Sequence, residues 1–251
     1  MSNYAPAAEA ATKIITFLAE SEQELGVSEI SRGVELNKNM VFRILNSLEK
    51  EGWVYCTGQK YALTLLPFRL TSRALSRLSL NKAALPALYE LADGTGESTY
   101  LGVLQGDKVL YLQHLDSVKS VRVAGRVGGE YDLFCSAPGK VLLAYADRAF
   151  AEAYAGRELP RRTENSITEK SALLAELECI RQQGYAADRE EFGRGISCVA
   201  APIFDHTGKA VAAVGCSAFT LDGQSEQVVQ TLLEPVLHAA RAVSARLGWQ
   251  E

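Results

Sequence analysis

The strongest constraint on the fold is an apolar stripe with helical spacing between residues 38 and 51. Its members recur every three or four positions, which places their side chains on one face of an α-helix. Asn37 precedes the stripe and Gly52 follows it, and these residue types are typical of the two ends of a helix. The pattern therefore predicts a helix over residues 38–51 with one buried face. The apolar positions are Val41, Ile44, Leu45 and Leu48.

Two segments with the same periodicity precede this helix, and a tight polar connection joins the second of them to it. After Gly52, two β-prone runs flank a turn that contains Gly58, which predicts a hairpin. Three short helices followed by a hairpin are typical of a winged helix-turn-helix, a unit that binds DNA. The predicted helices cover residues 8–20, 28–34 and 38–51, and the predicted strands cover residues 53–56 and 61–63.

The face of the third helix opposite the apolar stripe is the candidate surface for reading DNA. At about 100° per residue, Asn39, Arg43 and Asn46 point away from the stripe. Arginine can pair with guanine and asparagine with adenine in the major groove, and lysines at the helix start and in the hairpin turn suit phosphates. The candidate DNA-binding residues are Lys38, Asn39, Met40, Phe42, Arg43, Asn46 and Lys60.

A solvated helix face is the alternative interpretation of these residues, because polar side chains commonly lie opposite an apolar stripe. Met40 and Phe42 count against it, since a plain solvated face would normally carry Glu and Lys. The same alternative applies to Lys60 and to a basic stripe on the next predicted helix, residues 68–78. That stripe, which could contact phosphates or a partner subunit, comprises Arg69, Arg73 and Arg77.

Composition permits a DNA-binding role without requiring one. The 251 residues carry a net charge of −4, but residues 1–80 hold nine basic side chains against eight acidic ones. The hydrophobic and charged fractions, 47% and 22%, are those of a globular chain long enough for two domains. No apolar run approaches the roughly 20 residues of a membrane helix, and the N-terminus lacks a signal-peptide pattern. We therefore expect a cytoplasmic protein without membrane association.

The five cysteines are spread along the chain and include no CxxC pair, which argues against a disulfide framework and a structural zinc site. A metal bound by Asp188, Glu190 and Cys198 is a minor alternative, because no histidine lies at ligand spacing nearby. We expect no metal and no cofactor. The cysteines are Cys56, Cys135, Cys179, Cys198 and Cys216.

The second part of the chain mixes alternating strand patterns with longer helical patterns. Residues 1–66 are expected to form the winged helix-turn-helix domain, residues 67–80 a linker helix, and residues 81–251 an α+β domain. Thr168 is the predicted N-cap of one helix and Gly184 its end. Strands are predicted at residues 98–104, 109–115, 185–187, 198–204 and 210–218, and helices at residues 81–92, 137–145, 149–155, 168–183 and 225–247.

Segments in both halves of the chain resemble one known family. Three segments around the predicted third helix resemble the helix-turn-helix of the isocitrate lyase regulator (IclR) family. Three segments in the C-terminal half resemble that family's effector-pocket segment and its C-terminal signature. Two motifs in the right order and at the right spacing are specific for one family, whereas a helix-turn-helix alone is found in many. The segments are residues 27–31, 36–45, 48–54, 136–144, 184–192 and 195–205.

The resemblance implies a C-terminal effector-binding domain related to the GAF and PAS folds. It also implies homodimers paired through the N-terminal domains, often assembled into homotetramers as dimers of dimers, on a pseudo-palindromic operator of double-stranded DNA. Regulators of this family commonly control catabolic operons and respond to small carboxylic acids. On this resemblance the chain is expected to be a transcriptional regulator with a small organic-acid effector.

The resemblance also implies the position of the effector pocket. N–H groups at a helix start attract a carboxylate, a serine hydroxyl can donate to an anion, and Asp188 can accept from a ligand hydroxyl. Plain packing is the alternative for Cys198. For Asp188 the alternative is the cap of a turn or a pair with Arg189 or Arg194. Gly215 stands where some members have a second serine, which suggests a different and larger ligand. The implied pocket residues are Ala137, Pro138, Gly139, Asp188, Cys198 and Ser217.

The sequence contains no pattern of a catalytic site. It has no GxSxG nucleophile elbow and no GxxxxGK[ST] phosphate-binding loop. The histidines, His114, His206 and His238, are scattered. A constitutive architectural DNA binder, whose second domain only mediates assembly, is the alternative to a ligand-responsive regulator.

Overall fold

The computed structural model describes residues 5–75, 79–221 and 223–250. The chain divides into two compact units, with the boundary between residues 77 and 78. This boundary falls inside residues 67–80, the segment that the sequence predicts as a linker. No helix among the described residues is both long and apolar enough to cross a lipid bilayer.

The N-terminal unit combines helices with a small antiparallel sheet. Its elements are α1 (Pro6–Glu20), β1 (Leu25–Gly26), α2 (Val27–Gly33), α3 (Lys38–Lys50), β2 (Val54–Thr57), β3 (Lys60–Leu63) and α4 (Leu66–Leu75). The three predicted helices and the hairpin of β2 and β3 are confirmed. Strand β1 has only two residues, too few to show a pattern, and it pairs with β3 to give the order β1-β3-β2.

Helix α3 is fixed at both ends and along one face. The Asn37 side chain caps its start by accepting a hydrogen bond from the Met40 amide at 2.8 Å. Just past its end, Gly52 has a φ of +75°, a left-handed conformation that glycine adopts readily. The whole apolar stripe is buried and packs with Ile14 of α1 and Ile30 of α2. This packing decides which face of α3 points outward.

The C-terminal unit is built from helices and one antiparallel sheet, which confirms the predicted α+β class. Its helices are α5 (Ser79–Thr95), α6 (Ala137–Ala144), α7 (Arg148–Ala155), α8 (Lys170–Gln183) and α9 (Ser225–Arg246). Its strands are β4 (Ser98–Gln105), β5 (Lys108–Leu115), β6 (Glu130–Asp132), β7 (Ala186–Arg189), β8 (Ile196–Phe204) and β9 (Ala210–Phe219). The sheet that the described residues form has the order β6-β5-β4-β9-β8-β7.

Helices cover both faces of this sheet. Helices α5 and α9 pack against each other and against strands β4, β8 and β9, while α6 packs against α8 and against strands of the same sheet. Strands β8 and β9 are buried along nearly their whole length, so neither face is open to solvent there. A polar side chain on these strands must therefore bond a neighbour or line a cavity.

Two details of the C-terminal unit differ from the sequence prediction. Helix α8 begins at Lys170 with Glu169 at the N-cap position, so the prediction of Thr168 as its cap is wrong. Strand β6 was not predicted, because three residues are too few to show an alternating pattern. The predicted end of α8 is confirmed, since Gly184 adopts a left-handed φ of +80°.

Candidate DNA-binding surface and ligand cavity

The outward face of α3 carries the predicted DNA-reading side chains. Asn39, Arg43 and Asn46 are exposed, and Phe42 keeps 49% of its surface accessible. Met40 is only partly exposed because it packs on the apolar core. The opposite face of α3 is buried, so these side chains share one surface of the N-terminal unit.

The cations of this surface have no acidic partner in the described part of the chain: none of its carboxylates pairs with Lys38, Arg43 or Lys60. Lys38 lies at the start of α3, and Lys60 is exposed where the hairpin turns. In that turn Gly58 and Gln59 both have positive φ, the geometry of a type I′ turn. Positive charge is therefore presented by both the helix and the wing.

A surface groove of about 480 Å³ runs beside α3 and has Asn39, Arg43 and Ser47 in its wall, together with Ala7 of α1. The groove gathers two of the three base-reading candidates, Asn39 and Arg43, into one concave strip. It lies entirely within the N-terminal unit.

The basic stripe predicted on residues 68–78 is described only in part. Arg69 is exposed on α4. The side chain of Arg73 and the whole of Arg77 lie outside the described residues, so this stripe stays a prediction.

A cavity of about 330 Å³ lies in the C-terminal unit, between the sheet, the start of α6 and two loops. One of its walls is a row of three side chains on adjacent strands, Asp188 on β7, Cys198 on β8 and Ser217 on β9. Asp188 is the register partner of Cys198, and Cys198 is the register partner of Ser217. Strand pairing therefore brings together three residues that are distant in sequence.

Four of the six implied pocket residues line this cavity: the three of the strand row and Pro138 at the start of α6. Ala137 and Gly139 are not part of the lining. Ala137 is fully buried in the core, and a Cβ at Gly139 would lie 2.5 Å from the Asp132 carbonyl oxygen. The Gly139 amide donates to the Ser136 hydroxyl at 3.2 Å. The side chain at the N-cap thus already bonds an amide that the resemblance assigns to a carboxylate.

The two carboxyl oxygens of Asp188 have different surroundings. Its Oδ1 accepts hydrogen bonds from the amides of Glu191 at 2.7 Å and Phe192 at 3.3 Å, so this oxygen caps a turn. Its Oδ2 is buried without a hydrogen-bond partner among the described residues. Burial, reinforced by the charge of Glu191 and opposed by Lys140, raises the pKa of Asp188 from 3.8 to about 7.

Two arginines add positive charge to the cavity lining. Arg194 contacts Glu164 at 2.7 Å, Arg122 lies 4.0 Å from Asp116, and both arginine side chains are half exposed or more. Both guanidinium groups therefore lie on the solvent-accessible side of the cavity, each beside an acid. Arg189, an alternative partner of Asp188, pairs with an acid of α9.

Aromatic side chains form another wall of the cavity. The ring centroids of Tyr111 and Tyr131 are 4.2 Å apart, and those of Tyr131 and Phe192 are 5.9 Å apart. His114 stacks at 6.1 Å from Tyr111, and burial lowers its pKa against the opposing effect of Asp116. These rings come from β5, β6 and the loop after β7, so no local spacing indicates them. Only Phe192 falls in a segment that resembles the family signature.

Gly215 does not enlarge the cavity. A Cβ at this position would lie 2.4 Å from the Val199 carbonyl oxygen and 2.5 Å from the Tyr100 hydroxyl oxygen. The space above the glycine is therefore filled by the protein itself, and the interpretation of Gly215 as room for a larger ligand is wrong. No three or more His, Cys, Asp or Glu residues are grouped to hold a metal ion anywhere in the described ranges.

Comparison with known families matches both units of the chain. The IclR helix-turn-helix domain matches residues 7–57, and the C-terminal domain of the bacterial transcriptional regulator IclR matches residues 72–245. The chain belongs to the IclR family. IclR proteins are transcriptional regulators and not enzymes, with a DNA-binding helix-turn-helix followed by an effector domain. The winged unit and the cavity-bearing unit correspond to these two parts.

Similar proteins of the IclR family cover almost the whole chain. The HTH-type transcriptional regulator KdgR of Escherichia coli K12 is 37% identical over 233 residues, which are 92% of this chain and 88% of KdgR. The structure of Thermotoga maritima IclR is 29% identical with a TM-score of 0.77, covering 96% of this chain and 98% of that one. A Microbacterium hydrocarbonoxydans IclR homologue complexed with 4-hydroxybenzoate is 23% identical, with a TM-score of 0.85 and coverage of 96% and 98%. That last likeness concerns the fold alone.

Proposed function

We propose that this IclR-family protein regulates a catabolic operon in the cytoplasm, bound to a pseudo-palindromic operator as a homodimer or a dimer of dimers. A small organic acid in the cavity of the C-terminal unit changes its affinity for the operator. The observation that carries this proposal is the presence, in one chain, of an exposed recognition helix with basic side chains and a cavity of ligand size whose largely apolar lining holds a few polar groups.

The exposed face of α3 supports the DNA-binding part of the proposal. Arg43, Asn39 and Asn46 have the side-chain chemistry that distinguishes guanine and adenine in the major groove. Lys38 and Lys60 contact phosphates, which fix the position of the domain on the duplex without reading sequence. Because phosphate contacts release counterions, operator binding weakens steeply as salt rises.

The lining of the cavity favours a small acid that carries a flat or ring-shaped body and a further oxygen atom. The guanidinium groups on the solvent-accessible side of the cavity attract a carboxylate, and the aromatic wall packs against a flat body. Asp188 and Ser217 bind the further oxygen. A volume of about 330 Å³ is at the small end of ligand pockets, which run from about 300 to 1,000 Å³. 4-Hydroxybenzoate, bound by the Microbacterium homologue, combines these groups and is the first compound to test.

The DNA-binding part is tested by gel retardation of the purified full-length protein on the DNA upstream of its own gene. We expect sequence-selective retardation at moderate salt, and a loss of affinity of about 10³-fold or more between 50 and 200 mM salt if six or more phosphates are contacted. A failure to retard this DNA selectively over an unrelated fragment of equal length would sink the regulator proposal.

The effector part is tested by thermal shift and retardation with a panel of small acids. 4-Hydroxybenzoate and benzoate are compared with 4-hydroxybenzamide, which keeps the ring and hydroxyl but has no charge. We expect an acid to raise the melting temperature and to change retardation, and the amide to do neither. Selective DNA binding that no acid alters would instead favour the constitutive architectural binder.

A further inference from the structure

Lys140 is a buried cation in the segment that resembles the family's effector-pocket segment, yet it is not part of the cavity lining. Its side chain is 1% exposed. Its ammonium group lies between two carboxylates, 3.0 Å from Glu176 on α8 and in contact with Glu191 after β7. Burial alone would lower the pKa of Lys140, but these carboxylates outweigh burial and raise it, so the ammonium group stays charged.

Glu191 connects this cation to the cavity. It belongs to the loop of residues 190–195 between β7 and β8, which forms one side of the cavity. The preceding residue, Glu190, has a φ of +61°, a conformation that is unfavourable for a residue with a side chain and persists only where its surroundings hold it. The Lys140–Glu191 ion pair anchors this loop to α6. The loop residues that line the cavity are Phe192, Arg194 and Gly195, and Ile196 lines it at the start of β8.

Negative charge is in excess around Lys140. Glu176, Glu191 and Asp188 supply three carboxyl groups to one buried ammonium group. Asp188 Oδ2 and Glu191 Oε2 are both buried without a hydrogen-bond partner among the described residues. Like charges in a buried site repel, which favours a proton on one of the two groups. Asp188 takes it, because the ammonium group contacts Glu191 and not Asp188, and Asp188 is almost fully buried. The amide hydrogen bonds to Asp188 Oδ1 oppose protonation but do not outweigh burial.

We propose that Lys140 is a positioning residue for the effector cavity: it anchors the cavity loop through Glu191 and, together with Glu191, sets the pH range in which Asp188 is a neutral hydrogen-bond donor. The inference rests on the proposed function, because it concerns the acid that binds in the same cavity. Lys140 touches no ligand itself and acts only through these two acids.

The charges that act on Asp188 come from α6 and from the loop that follows β7. Burial raises the pKa values of the neighbouring thiols and phenols, so these groups are neutral at pH 7. Lys140 favours ionised Asp188, and Glu191 opposes it. Removing one or the other must therefore move the titration of Asp188 in opposite directions. The titratable groups that face Asp188 are Lys140, Glu191, Cys135, Cys198, Tyr100 and Tyr111.

The consequence is a pH-dependent affinity for anions. A protonated Asp188 donates a hydrogen bond to the further oxygen of the ligand, whereas an ionised Asp188 adds a negative charge to the cavity that holds the anion. With a pKa of about 7, the protonated fraction falls about tenfold between pH 6 and pH 8, and the affinity for an anionic effector falls with it.

The inference is tested without ligand by infrared titration of the full-length protein labelled with ¹³C-aspartate, the Asp188 band being assigned with Asp188→Asn. Lys140→Met is expected to raise the midpoint by about one pH unit or more, and Glu191→Gln to lower it. The double variant removes one charge of each sign and returns the midpoint close to wild type. Lys209→Met, an exposed lysine in the turn between β8 and β9, is the control and leaves it unchanged.

The inference would be overturned if the Asp188 titration midpoint were the same in Lys140→Met and Glu191→Gln, or moved in the same direction in both. Opposite shifts are expected only if the two charges act on Asp188, and not if Lys140 has a merely structural role. If Lys140→Met does not fold, Glu191→Gln is compared with the double variant. The double variant must then titrate at the higher pH.

Calorimetry with 4-hydroxybenzoate and benzoate between pH 6 and pH 8 tests the ligand side. The wild-type affinity for the acid is expected to fall about tenfold over this pH range. In Lys140→Met the same decrease in affinity is expected at higher pH. Acid binding with a flat pH profile overturns the inference while leaving the proposed function intact. If wild type binds no acid of the panel, the effector part of the proposed function fails, and the infrared titration still decides the inference.

Discussion

Cys198 and Ser217 lie directly opposite each other on β8 and β9, with the thiol sulfur 3.0 Å from the hydroxyl oxygen. They are 19 positions apart in the sequence, and only the register of two antiparallel strands makes them neighbours. Asp188 continues the row on β7. The row presents an acid, a thiol and a hydroxyl to one cavity, and of these the Ser217 hydroxyl is the donor best suited to the further oxygen of the proposed ligand.

Ser217→Ala is expected to weaken effector binding by about tenfold, the loss of one hydrogen bond, while the melting temperature barely changes. The fold loses little because a thiol is a weak partner for the hydroxyl. Calorimetry with the acid that raises the melting temperature measures the loss. Ser197→Ala is the matched control, since the Ser197 hydroxyl bonds Ser225 and does not line the cavity. An unchanged affinity in Ser217→Ala would exclude Ser217 from the ligand site.

Asp188→Asn is expected to stabilise the protein at neutral and alkaline pH. The pKa of Asp188 rises from 3.8 to about 7 on folding, so between these values the unfolded chain releases a proton that the folded chain keeps. Wild type therefore loses stability as pH rises from about 4 to about 7, and the loss is constant above that range.

The free energy of unfolding of Asp188→Asn, relative to wild type, must increase over the same pH range. The upper limit is about 1.4 kcal/mol for each pH unit between the two pKa values. Urea unfolding at pH 4.5, 6 and 8 measures it. Asp205→Asn is the control, because hydrogen bonds from Thr207 lower the pKa of that acid. A difference between Asp188→Asn and wild type that does not change with pH would show that Asp188 is ionised throughout.

The N-terminal unit could be predicted closely because local residues determine its elements. Asn37 and Gly52 mark the ends of α3, and the apolar stripe decides which face is buried. The exposed face then follows from helix geometry alone, without any knowledge of the neighbouring helices. Strand β1 of the N-terminal unit could not be predicted, because its two residues form a strand only through pairing with β3.

The cavity could be predicted only in part because non-local pairing builds it. Tyr111 and Tyr131 meet through the pairing of β5 with β6, a strand too short to be recognised in the sequence. Gly139 does not line the cavity, and the hydrogen bond from its amide to Ser136 is a detail of the helix cap that the sequence does not reveal. Gly215 was misinterpreted because a side chain of another strand fills its space.

Gly215→Ser is expected to destabilise the protein by about 1–3 kcal/mol or more, because its Cβ would meet a backbone oxygen and a fully buried tyrosine. The control is Gly94→Ser in α5, where an added Cβ meets nothing within 4 Å. Urea unfolding of both variants measures the difference. A Gly215→Ser variant as stable as wild type would mean that β4 and β9 can separate to admit a larger residue, and the cavity would then be more adaptable than the packing indicates.

Arg43→Ala is expected to lower operator affinity by about 1–3 kcal/mol while leaving binding to unrelated DNA nearly unchanged, because a base-reading arginine contributes to specific complexes. Lys38→Ala, by contrast, should weaken binding to both DNAs and reduce the salt dependence, as expected for a phosphate contact. Arg148→Ala is the matched control: its side chain is 89% exposed on α7, in the other unit, and it loses the same charge. Fluorescence anisotropy with operator and scrambled duplexes at two salt concentrations separates these outcomes. Equal losses on both duplexes would make Arg43 a phosphate contact, and no loss on either would make the outward face of α3 at Arg43 a solvated face.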